Sequence, residues 1–320
     1  MSYAFLFDLT NSLKHKSEFQ NIYLKTIYVI IMSEVKYCDK LFHKYRPINK
    51  YTESLLKNNE LFFNHPENFN DPFDCKLDCI HKGTHERWVD FFCKHNMHPA
   101  QARNLLAENL RKGKMRRQSD GILFDKRAKF QVEGNIDEGD LLRACCFSDR
   151  KDNLLMWSHY SENHEGICLN FKSYSLGDYY LLPLASGDGL PFHKIDYKNV
   201  KPKAVNLMNL ENEETKRIII DFYLTKFTDW QYEHEYRLLA TIYDMKEKSL
   251  VNFSKDALEG IIFGLKVKPD KAQCIKDIID EYYEGMDVKL YRTEKVDGRY
   301  AIDFKEIRNF DKYINLLGNE

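Results

Sequence analysis

Leu154-Leu155-Met156-Trp157-Ser158-His159-Tyr160-Ser161-Glu162-Asn163-His164-Glu165-Gly166-Ile167-Cys168-Leu169-Asn170-Phe171 changes periodicity partway along. Trp157, Tyr160 and His164 recur at i, i+3 and i+7, one face of a helix predicted over 154–163. From Gly166 to Phe171 the residues alternate as in a strand. Upstream, Leu41 to Arg46 reads as a strand stopped by Pro47, Thr52 to Asn59 as a helix, Glu60 to Phe63 as a strand and Leu141 to Ser148 as another. Downstream, a polar, Gly-containing stretch at 175–190 predicts loop and Glu211 to Phe227 a long helix. Tyr236 to Tyr243 and Leu258 to Gly264 read as strands, 270–284 as a helix and Lys289 to Tyr291 as a strand. Strands and helices mix without strict βαβ alternation, so the predicted class is α+β rather than a doubly wound sheet.

The composition is that of a globular chain, with 320 residues, 43% hydrophobic and 30% charged. Lys and Arg number 48 against 49 Asp and Glu, a net charge of −1 that excludes a wholesale polycationic binder. Eight cysteines, scattered and including the adjacent Cys145-Cys146, do not resemble a secreted disulfide framework; reduced thiols in a cytoplasmic protein are expected. The apolar opening from Ile22 to Met32 is interrupted by Lys25 and falls short of the ~20 residues that span a bilayer. Met32-Ser33-Glu34 reads as an ordinary start, which makes residues 1–33 either a helical extension or an over-long reading frame. The rest, 34–310, is expected to be a single α+β domain. Helical spacing over 84–118 and 121–132 marks an α-helical insertion at 84–132.

Four constellations carry chemistry. Tyr232-Glu233-His234-Glu235-Tyr236-Arg237 places two carboxylates two residues apart. On an extended chain they share a side, where one binds a substrate hydroxyl and the other polarises it; taken alone, the spacing reads first as a surface strand with a Glu–Arg ion pair. Trp157 and Tyr160 form either an aromatic shelf for a planar ligand or plain core. Cys75, Cys79, His81, His85, Cys93, His95 and His98 are seven potential zinc ligands whose spacing matches no ordinary knuckle. Arg111-Lys112-Gly113-Lys114-Met115-Arg116-Arg117 is a solvated helix end or a phosphate contact.

Six motifs follow one another in order: Lys44-Tyr45-Arg46, Phe69-Asn70-Asp71-Pro72-Phe73-Asp74, Cys146-Phe147-Ser148, Met156-Trp157-Ser158-His159-Tyr160, Gly166-Ile167-Cys168-Leu169 and Tyr232-Glu233-His234-Glu235-Tyr236-Arg237. Together they resemble the bacterial domain-of-unknown-function family 2971 over about residues 40–265. A basic strand residue, a Ser- or Tyr-bearing element and a late strand glutamate are also similar to the order found in NAD-dependent ADP-ribosyltransferases. That second resemblance implies a mixed, largely antiparallel sheet core and NAD as a consumed cofactor. It implies Glu235 as the residue that stabilises positive charge on the ribose as nicotinamide leaves, and Glu233 as activator of the acceptor. Arg46, or His43 in its place, would hold NAD on the first strand; Ser148 would support the glutamate, and Trp157 or Tyr160 would stack on nicotinamide.

The leading expectation is thus an intracellular effector of toxin or phage-defence type, transferring ADP-ribose to a nucleic-acid or protein acceptor, with a neutralising partner among its expected partners. A non-catalytic ligand-binding or interaction protein is the rival. A metal-dependent nuclease built on Asp71, Asp74, Glu233 and Glu235 comes third. Changing Glu235 to Gln is expected to abolish turnover and leave the fold intact.

Overall fold

The computed structural model describes residues 37–76, 78–124, 142–209, 212–240 and 249–318. Expectations for residues 1–33, 125–132 and 241–243 lie outside them. The chain divides into two compact units, one of residues up to His65 with Leu142–Tyr197 and Thr228–Glu320, the other of Pro66–Leu141 with Lys198–Phe227.

In the first unit, ten described strands form one mixed, mostly antiparallel sheet: β1 Tyr37–Arg46, β2 Arg143–Ser148, β3 Ile167–Leu176, β4 Tyr179–Pro183, β5 Gly189–Pro191, β6 His193–Lys194, β7 Glu235–Ala240, β8 Leu258–Phe263, β9 Lys289–Lys295 and β10 Ile302–Glu306. Their order is β6-β7-β2-β1-β3-β8-β9-β10, and β4 bridges β3 to β5. Only β8 and β9 run parallel; the other pairs are antiparallel. The α+β class holds.

Alternation along the strands gives the sheet two different faces. Phe42, Phe147, Phe171, Leu238, Ile261 and Phe263 line one face, in a core shared with helices Lys50–Asn58, Pro269–Tyr282 and Phe310–Leu317. On the other face, Tyr45, Cys168 and Ile262 pack with Met156 and Trp157 of the short helix Leu154–Tyr160. The rest of this second face carries His43, Ser148, Asn170, Glu235 and Arg237, all buried. A sheet face lined with buried polar groups is unusual, because each must find a partner away from water.

Two glycines fix the turn from the short helix into β3. A Cβ on Gly166 would lie 2.2 Å from the Arg46 carbonyl oxygen, and one on Gly264 2.2 Å from that of His164. Both approaches are to backbone, which cannot swing aside as a side chain does. They let Gly264 N–H reach the Gly166 carbonyl and Lys266 N–H that of His164, each at 2.9 Å.

In the second unit, helices His85–Lys94 and Pro99–Arg111 pack through Trp88, Phe92, Ala102 and Leu106. Residues 115–118 and 121–124 do not continue the helices, as their spacing predicts; they form a hairpin that pairs with Lys82–Gly83. Met115 and Ile122 fill the core from that hairpin while Arg116, Arg117 and Gln118 face water. The insertion is therefore mixed rather than wholly helical. A second correction concerns 175–190, expected as loop: Tyr179–Pro183 is a sheet strand whose Leu181 and Leu182 are buried.

Candidate functional site

The register of the sheet sets four polar residues side by side. Glu235 pairs with Ser148, Ser148 with His43, and His43 with Asn170. They come from four neighbouring strands, β7, β2, β1 and β3, and form a single row across the polar face. At the β8 end of the row, Asn170 Nδ2 donates to Glu259 Oε2 at 3.1 Å, and Tyr291 Oη donates to Glu259 Oε1 at 3.0 Å.

Glu235 is 4% exposed and Arg237, two residues on, is wholly buried. The guanidinium grips both carboxylate oxygens, Nε to Oε1 at 2.6 Å and Nη2 to Oε2 at 3.1 Å. Such a fork holds the carboxylate ionised and oriented. The Tyr197 hydroxyl accepts the Glu235 backbone N–H at 2.9 Å. Beside this pair, burial and the Glu235 charge push the Cys146 thiol well up, which keeps it protonated rather than nucleophilic.

Glu233 does not share an extended strand with Glu235. Residues Thr228–Glu233 form a 3-10 turn, and His234 sits in the left-handed region at φ 47° before β7 begins. Both glutamates are nonetheless buried. The Tyr160 hydroxyl donates to Glu233 Oε1 at 2.5 Å. Ser148 Oγ donates to the Glu233 carbonyl at 2.6 Å and accepts from Arg150 N–H at 3.1 Å. Ser148 thus supports the glutamate turn through the backbone.

The helix Leu154–Tyr160 is tied to the same turn at both ends. Its cap, Asn153, accepts from the Leu155 and Met156 amides and donates to the Tyr232 carbonyl; Tyr160 reaches Glu233 from the last turn. Trp157 packs in the core beside β1 and β3. It is wholly buried, stands edge-on to Tyr45 and donates from Nε1 to the Lys151 carbonyl at 2.8 Å.

Of the two first-strand residues, His43 joins the row and Arg46 does not. Arg46 lies on the opposite face of β1, with Nε on Thr52 Oγ1 of helix Lys50–Asn58 at 3.2 Å. His43 Nδ1 meets Asn170 Oδ1 at 2.9 Å. Burial, reinforced by Lys151 and Lys40 and opposed by Asn170 and Asp149, lowers the His43 pKa to about 4, so the ring is neutral at physiological pH.

Elsewhere the sequence clusters disperse. Among the described residues no three His, Cys, Asp or Glu side chains are grouped to hold a metal ion. His81 and His95 pack against Phe91, and His98 caps the helix at Pro99. Asp71 and Asp74, in the second unit, are buried turn residues; Asp71 Oδ1 accepts the Phe73 amide, and Asp74 faces Lys226 at 3.7 Å. An open hollow in that unit has Lys82 paired to Asp120 at 2.5 Å and Arg87 bound to the Met208 carbonyl at 2.8 Å. Arg111, Lys112, Lys114, Arg116 and Arg117 are exposed at a helix end and along the hairpin.

Sequence reasoning missed Asn170, Glu259 and Tyr291. Asn170 carries a signal, a lone amide within the apolar run Ile167–Phe171. Glu259 carries none, since its neighbours read as an ordinary strand.

Residues 156–238 match the model of a family described as "Protein of unknown function (DUF2971)". The chain is similar to that family over this stretch, which holds the Trp157–Tyr160 helix, strand β3 and the Glu233–Arg237 segment, and stops short of the 40–265 span of the six motifs. No curated protein and no solved structure matches the chain. Among the described residues no helix is long and apolar enough to cross a membrane.

Proposed function

We propose that this chain is an NAD-dependent ADP-ribosyltransferase-like effector that moves ADP-ribose to a macromolecular acceptor. The observation that carries the reading is the row Glu235–Ser148–His43, on one face of three adjacent strands. It keeps the order of a first-strand histidine, a Ser-bearing strand and a late strand glutamate.

The chemistry follows from the groups in the row. Departure of nicotinamide leaves positive charge on the ribose, which an ionised carboxylate stabilises best where water is scarce. Arg237 grips both oxygens of Glu235 and holds the carboxylate in one orientation on the polar face. His43 takes the first-strand role in place of Arg46, and Ser148 holds the turn that carries Glu233. For the acceptor, the exposed basic residues from Arg111 to Arg117 favour nucleic acid.

The test is loss of NAD and release of nicotinamide by purified protein with DNA, RNA or cell lysate as acceptor. Glu235→Asp, which keeps the charge facing Arg237, and His43→Ala are each expected to reduce turnover at least 100-fold, on the order of one lost transition-state contact. Undiminished turnover in both, with both folded, rules the mechanism out.

One observation favours a non-catalytic binding protein instead. Both glutamates already take donors from their own chain, Arg237 for Glu235 and Tyr160 for Glu233. Under that reading the same variants lower the melting temperature and NAD is neither bound nor consumed.

A further inference from the structure

The row continues past His43 into a second group of polar side chains for which the proposed transfer has no role. We infer that Glu259, acting through Asn170, fixes the tautomer of His43, so that Nδ1 carries the proton and Nε2 presents a bare lone pair to a donor on the ligand. The inference deepens the NAD reading, on which its functional meaning rests; the tautomer itself can be read without NAD.

The argument runs along the hydrogen bonds. Tyr291 Oη and Asn170 Nδ2 each reach a different oxygen of Glu259. Burial and the neighbouring Glu259 push the Tyr291 phenol up, so its oxygen keeps its proton and donates. An ionised carboxylate only accepts, so the Asn170 amide must turn its NH2 towards Glu259. That leaves the amide oxygen facing His43 Nδ1 at 2.9 Å. An oxygen cannot donate, hence the ring nitrogen does. In a neutral imidazole a proton on Nδ1 leaves Nε2 an acceptor.

The arrangement has a cause in the strands. His43 and Asn170 are direct cross-strand partners, and the pairing of β8 with β3 shifts register between Leu258 and Gly260, on either side of Glu259. Such an irregularity re-aims a side chain that regular pairing would direct elsewhere. Asn170 and Glu259 are thus positioning residues, and the site is matched to a ligand O–H or N–H at His43.

Nitrogen-detected NMR of the histidine rings, on the full chain at neutral pH without ligand, tests this directly. Wild type is expected to show His43 protonated at Nδ1 and bare at Nε2. In Glu259→Lys the partner becomes a donor, the Asn170 amide reverses, and the proton is expected to move to Nε2. Tyr291→Phe leaves the Asn170–Glu259 contact in place and should keep the wild-type tautomer. A purely structural role would shift melting temperatures and leave the ring protons where they are. Wild-type His43 protonated at Nε2 overturns the inference whatever the variants do; so does a folded Glu259→Lys protein that keeps the proton on Nδ1. Absence of NAD turnover would count against the transferase reading and leave the tautomer result untouched.

Discussion

Glu235 and Arg237 form a pair buried on both sides, and that changes what substitution there can reveal. Taking one charge out of a buried pair costs about 3–5 kcal/mol, so Glu235→Gln should lose stability as well as any turnover. The intact fold expected of that variant from the sequence alone does not fit this geometry. Urea unfolding should show the loss, and Glu235→Leu combined with Arg237→Met should recover part of it; a single-variant loss below about 1 kcal/mol would mean the pair is solvated like a surface one. His43 supplies a pH prediction. Its folded pKa of about 4 lies below the ordinary value, so acid protonates the unfolded chain first. Its contribution is complete above the ordinary histidine pKa of about 6.5 and is lost as pH falls towards 4, by up to about 3 kcal/mol. His193, also lowered to about 4 by burial, acts in the same direction. Stability of His43→Gln should therefore fall less than wild type across that window, and parallel curves would refute the assignment.

At the scale of elements, the turn between the short helix and β3 depends on Gly166 and Gly264. Adding a methyl at either forces backbone apart, so Gly166→Ala and Gly264→Ala should each cost about 1–3 kcal/mol or more. Gly318→Ala, whose new methyl meets nothing closer than 3.7 Å, should be near neutral in the same thermal melts. This turn also shows what was legible in sequence. The helix from Leu154 and the strand from Ile167 follow from two periodicities with Gly166 between them, but the helix predicted to Asn163 ends at Tyr160, and left-handed residues at 162–164 take His164 off its face. The strand Tyr179–Pro183 was hidden because Gly177, Pro183 and Gly189 punctuate it like a loop; its Pro183 is tolerated at the strand end. The hairpin 115–124 was hidden because its first strand buries Met115 and then exposes three residues running, which breaks the period-two signal. The glutamate pair was legible as chemistry and not as geometry, since a histidine at 234 is only a weak signal of a left-handed turn.

At the scale of the whole molecule, the row exists only because β7, β2, β1 and β3 are adjacent although they come from widely separated parts of the chain. No local pattern reports that adjacency, which is why Arg46 and His43 could not be separated before the register was known. Strand alternation settles it: consecutive odd and even positions of β1 face different cores, and only His43 faces the side of Glu235. The most direct measurement is NAD consumption by the purified protein, wild type beside His43→Ala, Arg46→Gln and Glu235→Asp, with melting temperature recorded for each. The account predicts turnover that His43→Ala and Glu235→Asp abolish and Arg46→Gln largely retains. Wild-type protein that neither binds nor consumes NAD in the presence of nucleic acid and lysate would contradict it.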